Sequence, residues 1–232
     1  MKFKKIKASN HGLALRNDEL NSLVYEITQK CTKKMFELIA EIIKECGQNA
    51  TTGDVEIILS RHLAELNYKS KNINWSIISK VYDLYKSKED TNVLRGRFVE
   101  LILYNSIKNK YDEDKSGMRC YLSNGKQKSR LEVDVFGWDK KTGGEFYECK
   151  VDINTMGDKA EEYLSNLYGV NVMFGGKNLY AFACFNKERN ANRFVEKNLS
   201  NKKGFKDLLL IGREELYRIM SEGDKDGSFI SC

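Results

Sequence analysis

Proline is absent from the 232 residues, so element boundaries have to be read from glycine and polar clusters alone. Histidine occurs only as His11 and His62, too few for Ser-His-Asp, histidine-dependent nuclease or zinc-protease chemistry in one chain, and each is read as structural or surface. No apolar run approaches the roughly 18 residues of a membrane span. The basic opening MKFKKIKASNHG is not followed by the apolar segment of a signal peptide, which predicts a soluble, cytoplasmic protein. The six cysteines (Cys31, Cys46, Cys120, Cys149, Cys184, Cys232) include no C-x-x-C pair, and three of them fall in apolar, strand-like runs. Reduced, buried thiols are therefore expected rather than a zinc ribbon or a disulfide framework. Neither G-x-x-x-x-G-K-[ST] nor G-x-G-x-x-G occurs, which argues against a nucleotide cofactor, and Gly175–Lys177 reads as a turn. The net charge of +6 is spread evenly along the chain, so charge alone is a weak pointer to nucleic acid.

What is present divides near residue 90. From Asn17 to Cys46, apolar residues at Leu20, Leu23, Val24, Ile27, Cys31, Met35, Leu38, Ile39, Ile42 and Ile43 keep spacings of three and four. They predict a long amphipathic helix, or two helices broken near Thr32, with an apolar face able to serve as a dimer surface. Thr51 or Thr52 and Asn74 are candidate caps for two further helices, which makes residues 1–90 an all-helical region for dimerisation or target binding. Residues 91–232 read differently. A helix over 92–108 leads into strands at 119–122, 131–136, 146–151, 179–185 and 207–211, with helices near 158–168, 188–198 and 213–220. That order predicts an α/β domain with a mixed sheet, hairpins first and crossovers afterwards, flanked by helices on both faces.

Two of those strands carry charges where apolar residues belong. In LEVDVFGWDKKTGGEFYECKV, Asp134 lies among Val133, Val135 and Phe136. Glu148 and Lys150 share one side of the next strand, with Tyr147, Cys149 and Val151 on the other. A carboxylate in such a place needs a proton, a partner or a metal, and two carboxylates beside one lysine suggest a hard-cation site. With these residues in place, the sequence resembles the PD-(D/E)xK nuclease superfamily, the restriction-endonuclease-like fold, whose signature is an acidic residue on one strand and acidic-x-Lys on the next. The resemblance covers roughly residues 91–185 and extends to Glu100, on the helix before the sheet. Val133 stands where the superfamily often has proline, and on the following helix only Lys159 matches the extra polar residue of some branches.

The resemblance implies Mg²⁺, with Mn²⁺ as substitute, held by Asp134, Glu148, the carbonyl of Cys149 and Glu100. It implies phosphodiester hydrolysis with Lys150 orienting water or neutralising charge, in a homodimeric DNA endonuclease of restriction or defence. Lys126, Lys128, Arg130, Lys140, Lys141 and Lys159 are candidate phosphate contacts, although solvated loop lysines are the competing reading. An ion pair is the competing reading for Glu148 with Lys150, and a helical salt bridge to Arg97 for Glu100. The alternatives of function are a junction resolvase or repair nuclease, a catalytically silent nucleic-acid-binding or assembly subunit with the same fold, and a helical interaction protein.

Overall fold

The computed structural model describes residues 7–8, 18–47, 49–65, 69, 72–86, 91–108, 110–111, 113–123 and 128–222. Four helices open it: α1 (Asp18–Lys30), α2 (Lys33–Glu45), α3 (Thr52–Glu65) and α4 (Trp75–Lys86). Of the two readings left open for 17–46, two helices is the one found, because the Thr32 hydroxyl accepts the Met35 N–H at 3.3 Å and caps α2. Asn74 likewise accepts the Ile77 N–H at 3.3 Å at the start of α4, and Thr51 accepts the Asp54 N–H at 3.3 Å beside α3.

A fifth helix, α5 (Thr91–Ile107), leads into β2 (Glu113–Ser123), β3 (Lys128–Asp139) and β4 (Gly143–Lys150). A 3-10 turn at Ile153–Lys159 and α6 (Ala160–Met173) then cross to β5 (Leu179–Cys184), and α7 (Glu188–Leu199) crosses to β6 (Leu208–Ile211) before α8 (Arg213–Glu222). A short strand β1 (Lys7–Ala8), which periodicity gave no reason to expect, pairs with β2. The sheet runs in the order β1-β2-β3-β4-β5-β6, antiparallel as far as β4 and parallel from β4 to β6. The chain is thus a mixed α/β protein with a helix-rich N-terminal region.

Each face of the sheet carries its own core. On one, Val135, Tyr147, Cys149, Ala181 and Ile211 pack with Phe98, Leu101 and Ile102 of α5, with α1 to α4, and with Leu216 and Ile219 of α8. On the other, Phe136, Phe146, Tyr180 and Phe182 pack with Leu164, Leu167 and Val170 of α6 and with α7. Residues on both sides of position 90 therefore share the first core. The apolar face of α1 and α2 is consumed there, with Leu20, Val24, Ile27, Met35, Leu38 and Ile42 all buried. This corrects the expectation that it serves as a dimer surface: burial against α4, α5 and α8 within the chain satisfies the same periodicity.

Cys31, Cys46, Cys149 and Cys184 are buried free thiols, as expected. Burial pushes the Cys184 thiol up to about 12, and burial together with the nearby Glu26 carboxylate does the same to Cys31. Trp138 packs edge-on against Phe174, with ring centroids 5.1 Å apart, at the margin of the second core.

Candidate active site

The site lies where β3 and β4 part. Their antiparallel pairing runs from Asp139↔Gly143 to Val135↔Tyr147 and stops there, while β3 continues along β2 to Lys128 and β4 continues along β5 to Lys150. In the gap, the Asp134 carboxylate stands in for a ladder acceptor and takes the Cys149 N–H at 2.7 Å. Val133 packs in the second core and Val135 in the first, so the strand turns over at Asp134. A carboxylate there meets an unpaired backbone donor instead of a hydrophobic partner, which explains why the sequence tolerates it.

Strand parity holds on β4: Phe146 faces the second core, and Tyr147 and Cys149 face the first. Glu148 and Lys150 thus look towards α6. Glu148 is only 4% exposed and is ion-paired with the Lys150 ammonium. The same ammonium lies 3.8 Å from Asp134 Oδ2, 3.3 Å from the Cys149 carbonyl and 4.4 Å from the centre of the Tyr163 ring on α6. Burial opposes the charge on Lys150, but the Asp134 and Glu148 carboxylates outweigh it and hold the amine above its usual range. Lys150 is therefore a cation and a hydrogen-bond donor at neutral pH, and not a base. On the other face, burial and then the two nearby carboxylates drive the Cys149 thiol well above its ordinary value, which leaves it inert.

A second buried carboxylate on β4 provides a contrast. Glu145 receives the Tyr111 and Tyr147 hydroxyls at 2.5 Å each, together with the Lys110 ammonium, so it is fully supplied with donors and structural. Asp134 and Glu148 share one lysine between them.

The remaining candidates separate. Glu100 on α5 is ion-paired with Arg97, both residues being buried at 7% and 4% exposure. Among the described residues, the carboxylates of Glu100, Asp134 and Glu148 do not all come within 4.8 Å of one another; the group that meets this condition is Glu41, Glu45 and His62. Lys140 and Lys141 sit in the β3–β4 turn, where the Lys141 N–H donates to Asp139 at 2.8 Å. That turn is at the opposite end of β4 from Lys150, about 20 Å away at strand rise, so these two do not line the site. Lys128 and Arg130 lie on the part of β3 that overhangs the C-terminal end of β4, paired with Ser123 and Tyr121 of β2, while Lys126 is outside the described residues. Lys159 is exposed at the start of α6, one turn before Tyr163.

Sequence reasoning did not single out the Cys149 N–H or the Tyr163 ring as parts of this cluster. Nor did it find the clamp beyond β4, where Asn186 accepts the Ile153 N–H at 2.7 Å and donates to Asp152 at 2.9 Å.

Fold and site together define a mixed α/β protein with two acidic strand residues gathered on one lysine. The sequence matches no family model and no curated protein. Among solved structures, the crystal structure of protein VC1899 from Vibrio cholerae is similar at 15% identity with a TM-score of 0.49, covering 94% of this chain and 57% of that one.

Proposed function

We propose that this chain is a divalent-metal-dependent nuclease of restriction-endonuclease-like fold that hydrolyses phosphodiester bonds in DNA, in restriction or another defence role. One observation carries the reading: Asp134, Glu148 and the Cys149 carbonyl all converge on the Lys150 ammonium at the point where two strands part. That position already favours positive charge, and its oxygen donors are the kind that Mg²⁺ and Mn²⁺ take. Such an ion, when bound, stabilises negative charge on a phosphate and acidifies a coordinated water. Lys150, protonated and backed by Tyr163, supplies a fixed positive charge and a donor for a phosphate oxygen or a water. Asp134 is held in place by the Cys149 N–H, and Glu100 holds Arg97 on the helix behind β4.

A second reading, a silent subunit of the same fold, is favoured by the fact that Lys150 already neutralises its two acidic neighbours. The deciding experiment offers supercoiled plasmid, linear duplex, a four-way junction and RNA to the protein with Mg²⁺, Mn²⁺ or EDTA. Metal-dependent cutting is expected, falling by at least about a hundredfold in Asp134→Asn and Lys150→Met, as losses of charge-stabilising groups do. Preference for the junction would move the assignment to a resolvase. Absence of cutting on every substrate would leave the silent subunit.

A further inference from the structure

We infer that Glu41, Glu45 and His62 form a separate transition-metal site of the Zn²⁺ type, fastening α3 to α2. It is independent of the nuclease reading. Glu41 and Glu45 are one helical turn apart on α2 and so present their carboxylates on one side. His62, on α3 and only 6% exposed, points its Nε2 at both, 3.7 Å from Glu41 Oε2 and 3.9 Å from Glu45 Oε1. One ligand atom from each residue falls within a 4.8 Å group. A tetrahedral zinc with bonds near 2.0 Å separates its ligands by about 3.3 Å, so small side-chain adjustments would close the set.

Two further features point to a cation. The buried Nε2 has no hydrogen-bond partner, while Nδ1 lies 3.1 Å from Glu65 Oε2. A carboxylate only accepts, so Nδ1 is the nitrogen that donates to Glu65, and Nε2 is left aimed at two carboxylate oxygens without a hydrogen bond to either. Glu65 is thus placed as the outer carboxylate that orients a metal-binding histidine.

The other oxygens are already engaged: Glu41 Oε1 by the buried Arg213 and Glu45 Oε2 by Arg61, which leaves one oxygen of each facing His62. Lys44 places its ammonium against Glu41 Oε2 and 3.9 Å from Glu45 Oε1, acting as the resident cation. Its long side chain can swing outward, so metal binding would exchange one positive charge for two. Glu45 and Arg61 also line a surface cleft with Asn49 and Asp54, which gives an ion a path in and leaves room for a water. The mixed nitrogen and oxygen donors favour Zn²⁺ over Mg²⁺.

The test is a Zn²⁺ titration of the full chain against a chromogenic chelator, with folding of each variant checked by circular dichroism. One Zn²⁺ per chain is expected. Affinity should fall at least about tenfold in His62→Ala and in Glu45→Gln, rise several-fold in Lys44→Met, and stay unchanged in Asp134→Asn. The Lys44 variant separates this site from a purely structural ion-pair cluster, in which removing the lysine would create no metal affinity. Absence of stoichiometric Zn²⁺ in both the wild type and Lys44→Met would overturn the proposal and leave the cluster as a network of side-chain contacts between α2 and α3. Binding that survives His62→Ala, or that is lost in Asp134→Asn, would overturn it as well.

Discussion

Lys150 carries its charge in surroundings where burial works against it, and that opposition has a measurable sign. Because the folded amine titrates above its ordinary value, the stability it contributes is fully present below about pH 10.4 and is lost as pH rises through the folded value. Its role as a cation should therefore persist across the working range. We expect cleavage, where it is observed, to hold steady between about pH 7.5 and about pH 10, with no descending limb from this lysine. A descending limb within that range that vanishes in Lys150→Arg would show that the amine loses its proton, and activity with it, well below the raised value expected here. At this scale much was readable in the sequence: the parity of Glu148 and Lys150 and the oddity of Asp134 follow from strand geometry alone. Tyr163 was not, because it reaches Lys150 only through the packing of α6 on the sheet.

Elements were legible where local chemistry decides them. The Thr32 break shows how: an apolar stripe continuing across a cap residue left one helix or two open, and the Thr32 hydroxyl settles it. Thr32→Ala should cost about 1 kcal/mol in urea denaturation, the usual worth of an N-cap, whereas Thr32→Ser should cost little. The misplaced lysines show the limit of local reading. Lys140 and Lys141 look close to Asp134 in sequence, but a hairpin puts its turn at one end of the ladder, while Asp134 and Glu148, at matched distances from that turn, meet at the other. The information was in the spacing. The fate of the α1–α2 face was not, because periodicity shows that a face must be covered and says nothing of what covers it.

Across the whole molecule, one buried ion pair ties early chain to late. Arg213 at the start of α8 reaches Glu41 on α2, both almost inaccessible to solvent, in the core shared by α1 to α5, α8 and one face of the sheet. Arg213→Ala would leave the buried Glu41 carboxylate with Lys44 as its remaining cationic partner and should destabilise the protein by about 3 kcal/mol in chemical denaturation, the lower end of the cost of breaking such a pair from one side. A loss under about 1 kcal/mol would mean that Lys44 and water compensate fully.

The position of α8 also bears on how the protein is made. Helices α1 and α2, synthesised before α8, bury their apolar stripe partly against Leu216, Ile219 and Met220, among the last of the described residues to be made. Until α8 is made that face is only half covered, so the helical region completes its core late, together with the end of the described chain, rather than as a unit that folds first.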